Sequence, residues 1–360
     1  MIRLLTDTTT SSLTTWVHTH STLAARLQNI TRFVYAKSEP LPLSIHPAWL
    51  NVLRDGLNHE VYAIEARIHG NVCGFLPLVF VNTLLFGKFL VSLPYLNSNG
   101  VIAASTEVQS LLVDRAVELA DELNVRHLEL RHEQTIPHAA FNASLTSKVH
   151  MRLALPDDKD RFWKELDAKV RNQVRKGEKN HLAVTWGGLE LMEPFYSVLS
   201  HNMRDLGTPI YSRELFNAIL RAFPDDAEIC VVTHESVPVA TALLLHGPGM
   251  TEVPTASALR SSNSVCANML MYRHLLDRAI ERKQAIFDFG RSTVDGPTFN
   301  FKKQWGALPC PAAWQYAMRT GELGEMRPDN PRYQRLIRMW QKLPVRLTQY
   351  IGPPIVRGIP

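Results

Sequence analysis

The sequence predicts an α+β (mixed α/β) protein with two similar subdomains, each a mixed, mostly antiparallel sheet flanked by helices, and a C-terminal helical tail. Three observations carry this. Strand-like runs come in meanders joined by tight turns, long amphipathic segments follow them, and those segments lead back into further strands. The plan occurs in both halves without a detectable sequence repeat, dividing the chain into residues 1–157, 158–320 and a tail of 321–360.

In the first half, Val61–His69 alternates as a strand and turns at Gly70-Asn71 into Val72–Val81, with Leu84–Leu93 as a third strand. An irregular PYLNSNG stretch precedes a helix from Thr106 to Leu123, whose apolar stripe is Val108, Leu111, Leu112, Ala116 and Leu119. Strands follow at Arg126–Arg131 and Val149–Leu155. The second half opens with a helix from Asp158 to Asn180 and a strand at Leu182–Trp186. Helices come next at Leu189–Leu206, where Gly207 is a C-cap signal, and at Ser212–Phe223. A three-strand meander (Ala227–His234, Val237–His246, Thr251–Ala258) leads into a helix at Asn263–Lys283 and strands at Ala285–Phe289 and Ala313–Arg319.

Composition narrows the class. A hydrophobic content of 45% with 20% charged residues is that of a folded soluble protein, not a disordered one. The net charge of +5 suits anionic partners: phosphorylated sugars, nucleic acid or a membrane surface. Cys73, Cys230, Cys266 and Cys310 lie far apart, which argues against a disulfide framework or a zinc site and fits a reducing cytoplasm. The first thirty residues are rich in Thr and Ser without a basic-then-apolar leader, and the longest apolar runs are broken by Gly, Lys and Pro. A soluble, cytoplasmic protein that uses no metal is expected.

The segment FDFGRSTVDGPTFNFKKQWG (Phe287–Gly306) concentrates the chemistry. Phe287 and Phe289 face one way and Asp288 the other; Gly290 breaks the strand, and a polar loop carries Arg291, Ser292 and Asp295. Phe301–Trp305 then sets Lys302 and Lys303 between large aromatics. Read as extended chain, it points the two lysines to opposite faces. Lys302 is the leading catalytic candidate, since a cation framed by aromatics can hold a phosphate or an oxyanion. A buried Asp288 needs a partner, with Arg291 or Lys302 the obvious choices. The rival reading is a β-hairpin with a solvated, charged turn, in which Lys302 lies over Trp305.

Longer motifs carry a resemblance. VRNQVRKGEKN (Val170–Asn180), FYSVLSHNMRDLGTPIYSRELF (Phe195–Phe216), EVPTASALR (Glu252–Arg260), NMLMYRHLL (Asn268–Leu276) and the Phe287–Gly306 segment resemble FemAB-like proteins, in particular the branch associated with PEP-CTERM and exosortase gene clusters. HPAW, GFLPLV and LFGKFLVSLPYLNSNG extend the likeness weakly into residues 46–102. The resemblance implies two subdomains of the GNAT acyltransferase fold sharing a cleft. It implies transfer of an acyl or aminoacyl group to an amine or hydroxyl of a sugar- or peptide-bearing precursor, lipid- or nucleotide-linked. Fem proteins take the aminoacyl group from tRNA. Carried over, it points to Lys302, Asp288 and Glu252 as catalytic, with Glu252 where GNAT enzymes often carry a base. Arg204, Asp205, Tyr211, Arg260, Asn268, Tyr272, Arg291, Ser292, Lys303 and Trp305 become substrate contacts. Thr255 and Ser98-Asn99 depart from the branch's usual residues, which leaves the acceptor open.

The loop Arg260–Ala267 stands where GNAT enzymes hold the acetyl-CoA pyrophosphate, yet it contains no glycine. Ser261, Ser262 and Asn263 are residues that can cap the helix instead. No bound cofactor is expected; the activated donor, aminoacyl-tRNA or acyl-CoA, is a co-substrate. Lys169, Arg171, Arg175, Lys176 and Lys179 read as a solvated helix face, or as phosphate contacts if the donor is tRNA. In the tail, Arg332, Arg335, Arg338, Lys342 and Arg346 recur beside Tyr333, Leu336, Trp340 and Leu343, a basic amphipathic helix interrupted at Pro344. It either packs on the body or makes peripheral contact with anionic lipid at the inner face of the membrane. A scaffold of the polysaccharide machinery without catalysis, or an acyl-CoA-dependent N-acyltransferase of an amino sugar, are the rival functions.

Overall fold

A computed structural model describes residues 13–36, 40–321 and 331–359, the last stretch from residue 334 for side chains. In chain order the first half runs β1 (Leu13–Thr19), α1 (His20–Leu23), α2 (Leu27–Val34), α3 (Trp49–Leu57), β2 (Glu60–Ile68), β3 (Asn71–Thr83), β4 (Gly87–Val91), β5 (Ile102–Ala103), α4 (Thr106–Glu122), β6 (His127–His132) and β7 (Ala143–Leu145). Then come β8 (Lys148–Ala154), α5 (Lys159–Glu165), α6 (Ala168–Lys179), β9 (Ala183–Gly187), α7 (Met192–Leu206) and α8 (Arg213–Ala222). The second meander is β10 (Ala227–His234), β11 (Val237–Gly247) and β12 (Met250–Ala258), followed by α9 (Ala267–Glu281), β13 (Ile286–Thr293), α10 (Pro297–Lys303), β14 (Leu308–Pro311) and β15 (Ala313–Met318). The tail is α11 (Pro331–Trp340) and α12 (Val345–Val356), broken at Pro344 as its sequence predicts.

Two mixed sheets form, in the orders β1-β2-β3-β4-β6-β15-β7 and β14-β8-β13-β12-β11-β10-β9. Each is antiparallel except at one pair, β4–β6 in the first and β12–β13 in the second. The halves exchange strands. β8, N-terminal to the boundary expected at 157, lies in the second sheet beside β13, and β15 lies in the first beside β6.

Alternating burial explains the layers. Val61, Ala63, Phe75, Val79 and Phe89 of the first sheet share one core with Ile229, Val231, Leu243 and Leu245 of the second, closed by Trp49, Phe195 and Phe216. The opposite faces pack against α4 through Leu76, Leu78, Leu112 and Ala116, and against α6 and α9 through Val174, Leu244, Leu275 and Phe287. Burying each Leu, Val or Phe contributes about 1.5–3 kcal/mol, so one apolar core ties the sheets together.

Two local expectations are corrected. The helix read from Asp158 to Asn180 is two helices: Leu166 is extended, and the Asp167 side chain restarts the helix by accepting from the Lys169 amide. Gly290 does not break the strand, no hairpin turn follows it, and Lys302 and Lys303 lie in a helix instead of an extended run. β13 continues to Thr293, and Pro297 sits at the start of α10, where its fixed φ favours a helix and its missing N–H costs nothing.

Candidate active site

The candidate site lies where the two sheets face each other. β12 and β13 pair in parallel only through Met250–Ile286, Thr251–Phe287 and Glu252–Asp288, then part. Glu252 and Asp288 therefore sit side by side at the opening of a gap between strands. From the first half, the 3₁₀ turn at Leu43–Ile45 and the loop after β4 reach across. Ser44 donates from its amide (2.9 Å) and its hydroxyl (2.8 Å) to the Glu252 carboxylate, and Asn99 donates to the Ser44 carbonyl. Burial, with the Asp288 charge beside it, pushes Glu252 up to about 7.

Asp288 is 3% exposed. Its partner is neither Arg291 nor Lys302, as its flanking sequence suggested, but the cross-strand neighbour Arg152, at 2.9 Å. His150 lies 3.4 Å away, and the Gly290 amide donates at 2.7 Å. Burial acts to raise Asp288, but His150 and Arg152 outweigh it and hold the group below the ordinary carboxylate range. Arg152 also reaches Glu133 of the first half, so this ion-pair chain bridges the sheets.

Gly290 is a bulge with φ +77°, and the β13–β8 register slips between Asp288 and Arg291. That bulge turns two successive carbonyls, Gly290 and Arg291, toward Lys302, whose ammonium donates to both at 3.0 Å. Lys302 is 8% exposed, and burial lowers it to about 8. Arg291 lies over the Trp314 ring, 3.3 Å from its centroid, and Arg131 lies over the same ring at 3.8 Å. Tyr211 flanks this corner, edge-on to Tyr95, with burial raising its phenol to about 12.

The structure sorts the sequence candidates. Lys302, Asp288, Glu252, Arg291 and Tyr211 converge on the cleft. Ser292 is the next residue on β13, with its hydroxyl buried and without a partner. Lys303 is exposed, because in a helix its neighbour Lys302 takes the inward position. Trp305 (1% exposed) and Tyr272 (7%) are core, packed with Phe289 and Phe301. Arg204 pairs with Asp205 and donates to the Leu343 carbonyl, while the Asp205 carbonyl accepts from Gln341 and Arg260. Arg204 and Asp205 thus fasten the tail to α7, and Arg260 ties the turn before α9 to the same carbonyl. Asn268 sits in the first turn of α9.

Sequence reasoning missed Ser44, Asn97, Arg131, Glu133, His150, Arg152 and Trp314. A signal existed for some. HLELRH sets Glu129 and Arg131 on one face of a wholly buried strand, a costly pattern outside a site. Ser44 carried none, because only tertiary folding brings it to a residue 208 positions away.

Residues 164–303 match the family described as an acetyltransferase (GNAT) domain. No curated protein matches the sequence. Among solved structures, FemX superposes with a TM-score of 0.62 at 14% identity, covering 80% of this chain and 95% of its own. The tandem GNAT protein from the clavulanic acid biosynthesis pathway gives 0.56 at 11% identity, over 86% and 99%. The C-terminal domain of a putative lysylphosphatidylglycerol synthetase from Agrobacterium fabrum gives 0.53 at 13%, over 83% and 93%. The fold is thus a tandem GNAT arrangement of the FemAB-like kind. The chain is an acyltransferase.

Proposed function

We propose that this enzyme transfers an acyl or aminoacyl group from an activated donor to an amine or hydroxyl, with Glu252 as general base and Lys302 stabilising the developing oxyanion. The observation that carries this is the setting of both groups around Asp288: a carboxyl raised to about 7 beside it at the opening between β12 and β13, and a buried ammonium that also feels its charge and is held by the carbonyls of Gly290 and Arg291. The acceptor nitrogen or oxygen attacks the donor carbonyl while Glu252 takes its proton. Collapse of the tetrahedral species then expels the donor's leaving group. Asp288 is saturated by Arg152, His150 and the Gly290 amide, so it orients rather than abstracts.

The turn before α9 favours a donor other than acetyl-CoA. It is a 3₁₀ helix without glycine, and the Ser262 and Cys266 amides are already bonded to Leu259 and Asn263. Aminoacyl-tRNA fits the resemblance to Fem proteins. The same resemblance suggests a cell-envelope or exopolysaccharide precursor as acceptor. The tail's outward Leu336, Met339 and Tyr350, set among Arg335, Arg338 and Arg346, suits an anionic lipid surface that would present a lipid-linked acceptor.

Glu252→Gln should lower kcat by about 10²–10⁴-fold and Lys302→Ala by about 10²–10³-fold, both with unchanged folding. Thermal shifts with acetyl-CoA, longer acyl-CoAs and aminoacyl-tRNA, with and without anionic vesicles, separate the donors. Stabilisation by a CoA ester alone overturns the aminoacyl reading. Full activity in both variants overturns the assignment of base and oxyanion cation.

A further inference from the structure

The corner built on Trp314 is not used by the transfer step. Trp314 stands opposite Arg131 across the β15–β6 pairing, and its indole N–H donates to the Asn97 carbonyl at 3.1 Å. Arg131 is 2% exposed. Its Nε donates to Glu129 at 2.7 Å and its Nη1 to the Leu96 carbonyl at 2.8 Å, but its Nη2 is buried without a partner. Arg291 comes from the other sheet and lies over the same ring; its Nε is also buried without a partner. No carboxylate among the described residues pairs with Arg291. The corner therefore holds two guanidinium charges against the single carboxylate of Glu129, with Lys302 adjacent through the Arg291 carbonyl. Burial, with repulsion from Arg131 added, weakens the Arg291 cation to about 9.

Such an arrangement is costly unless something completes it, because buried donors and unbalanced charge are both penalised. Both guanidinium groups pack on the one indole, 3.8 Å and 3.3 Å from its centroid, and a planar fork is suited to bidentate capture of an oxyanion. Arg291 is only partly buried, so this corner can be entered from the cleft.

We propose that Arg131 and Arg291, both packed on Trp314, form a subsite for an oxyanion group, carboxylate or phosphate, carried by one of the two substrates. The proposal rests on the transferase reading for which substrate it serves, but its test needs no turnover.

The experiment is a melting-temperature titration of the full chain with sodium phosphate and, separately, sodium acetate, at constant ionic strength set by chloride so that screening does not change. At least one anion should stabilise the wild type saturably. Arg291→Gln should weaken that binding at least tenfold while leaving the melting temperature without the anion unchanged or higher, since a repelled cation is removed. Arg291→Lys, which keeps charge but loses the fork, should fall in between. Stabilisation by phosphate alone identifies a phosphorylated substrate, and by acetate alone a carboxylate-bearing one. Equal stabilisation of wild type and Arg291→Gln, or none of the wild type by either anion, overturns the subsite. Lys302→Ala should still bind the anion; if it does while retaining turnover, the catalytic reading falls and the subsite stands.

Discussion

Glu252 and Lys302 titrate close together, Glu252 raised to about 7 and Lys302 lowered to about 8. The reaction needs the first ionised and the second protonated, so kcat/KM should follow a narrow bell with its maximum between those values, measured by initial rates from pH 5.5 to 9.5. In Glu252→Gln the acidic limb should vanish from the residual rate. An unchanged acidic limb would remove Glu252 from the role of base. Stability gives an independent check. Folding raises Glu252 from 4.5, so its contribution is full below that value and is lost as pH rises through about 7. Glu252→Gln lacks that loss, so relative to wild type it should gain melting temperature between pH 5 and pH 8. The gain is bounded by about 3 kcal/mol at 1.36 kcal/mol per pKa unit, and reduced because the carboxylate is partly open to solvent. Lys302 was legible from sequence because aromatics frame it. Arg152 was not, since an arginine in a short strand names no partner until β8 and β13 are in register.

At the level of elements, the bulge at Gly290 does most to shape the site. Its φ of +77° is a conformation that L side chains rarely adopt, and a Cβ there would lie 3.2 Å from the Asn97 side-chain nitrogen Nδ2. The left-handed backbone costs a non-glycine residue about 1–2 kcal/mol. Gly290→Ala should therefore lower stability by about that amount in urea unfolding, and should reduce kcat more than stability alone predicts. The reason is that the Gly290 carbonyl holds Lys302. Wild-type kcat in a folded Gly290→Ala variant would show that the bulge does not position the lysine. The glycine was read from sequence as a strand breaker, whereas β13 passes through it as a bulge and continues to Thr293. The helix after it was missed because the residues up to Asn300 read as a polar loop, closed by Phe301–Trp305 with its two lysines facing apart if extended. The better signal was Pro297 following Gly296, with Phe299 and Lys302 three apart on one helical face. The tail was read correctly for a physical reason: its cations and apolar residues repeat at helical spacing, and Pro344 can only interrupt them.

For the whole molecule, the sequence shows that strands exist but not which sheet takes them. Alternation in residues 148–154 and 313–318 is the same whichever neighbour pairs with them, so a division at residue 157 looked natural. In the fold each half lends a strand: β8 completes the second sheet and β15 the first, each lying antiparallel beside the second member of that sheet's parallel pair. A cut at 157 strips β13 of β8, and with it Asp288 of Arg152 and His150, leaving a buried carboxylate without its compensating charges. It also removes β15, and with it Trp314, from the first sheet and opens the core shared by Phe75, Phe89, Phe195 and Leu243. Two half-chains, 1–157 and 158–360, should each fail to fold when expressed alone, while the intact chain should unfold in one cooperative step. The check is urea unfolding followed by tryptophan fluorescence and far-UV circular dichroism: coincident transitions for the full chain, none for either fragment. A fragment 158–360 that melts cooperatively by itself would mean the second sheet tolerates losing β8. The pairing of Asp288 across β8 would then be dispensable for folding, and the site could be assembled from the second half alone.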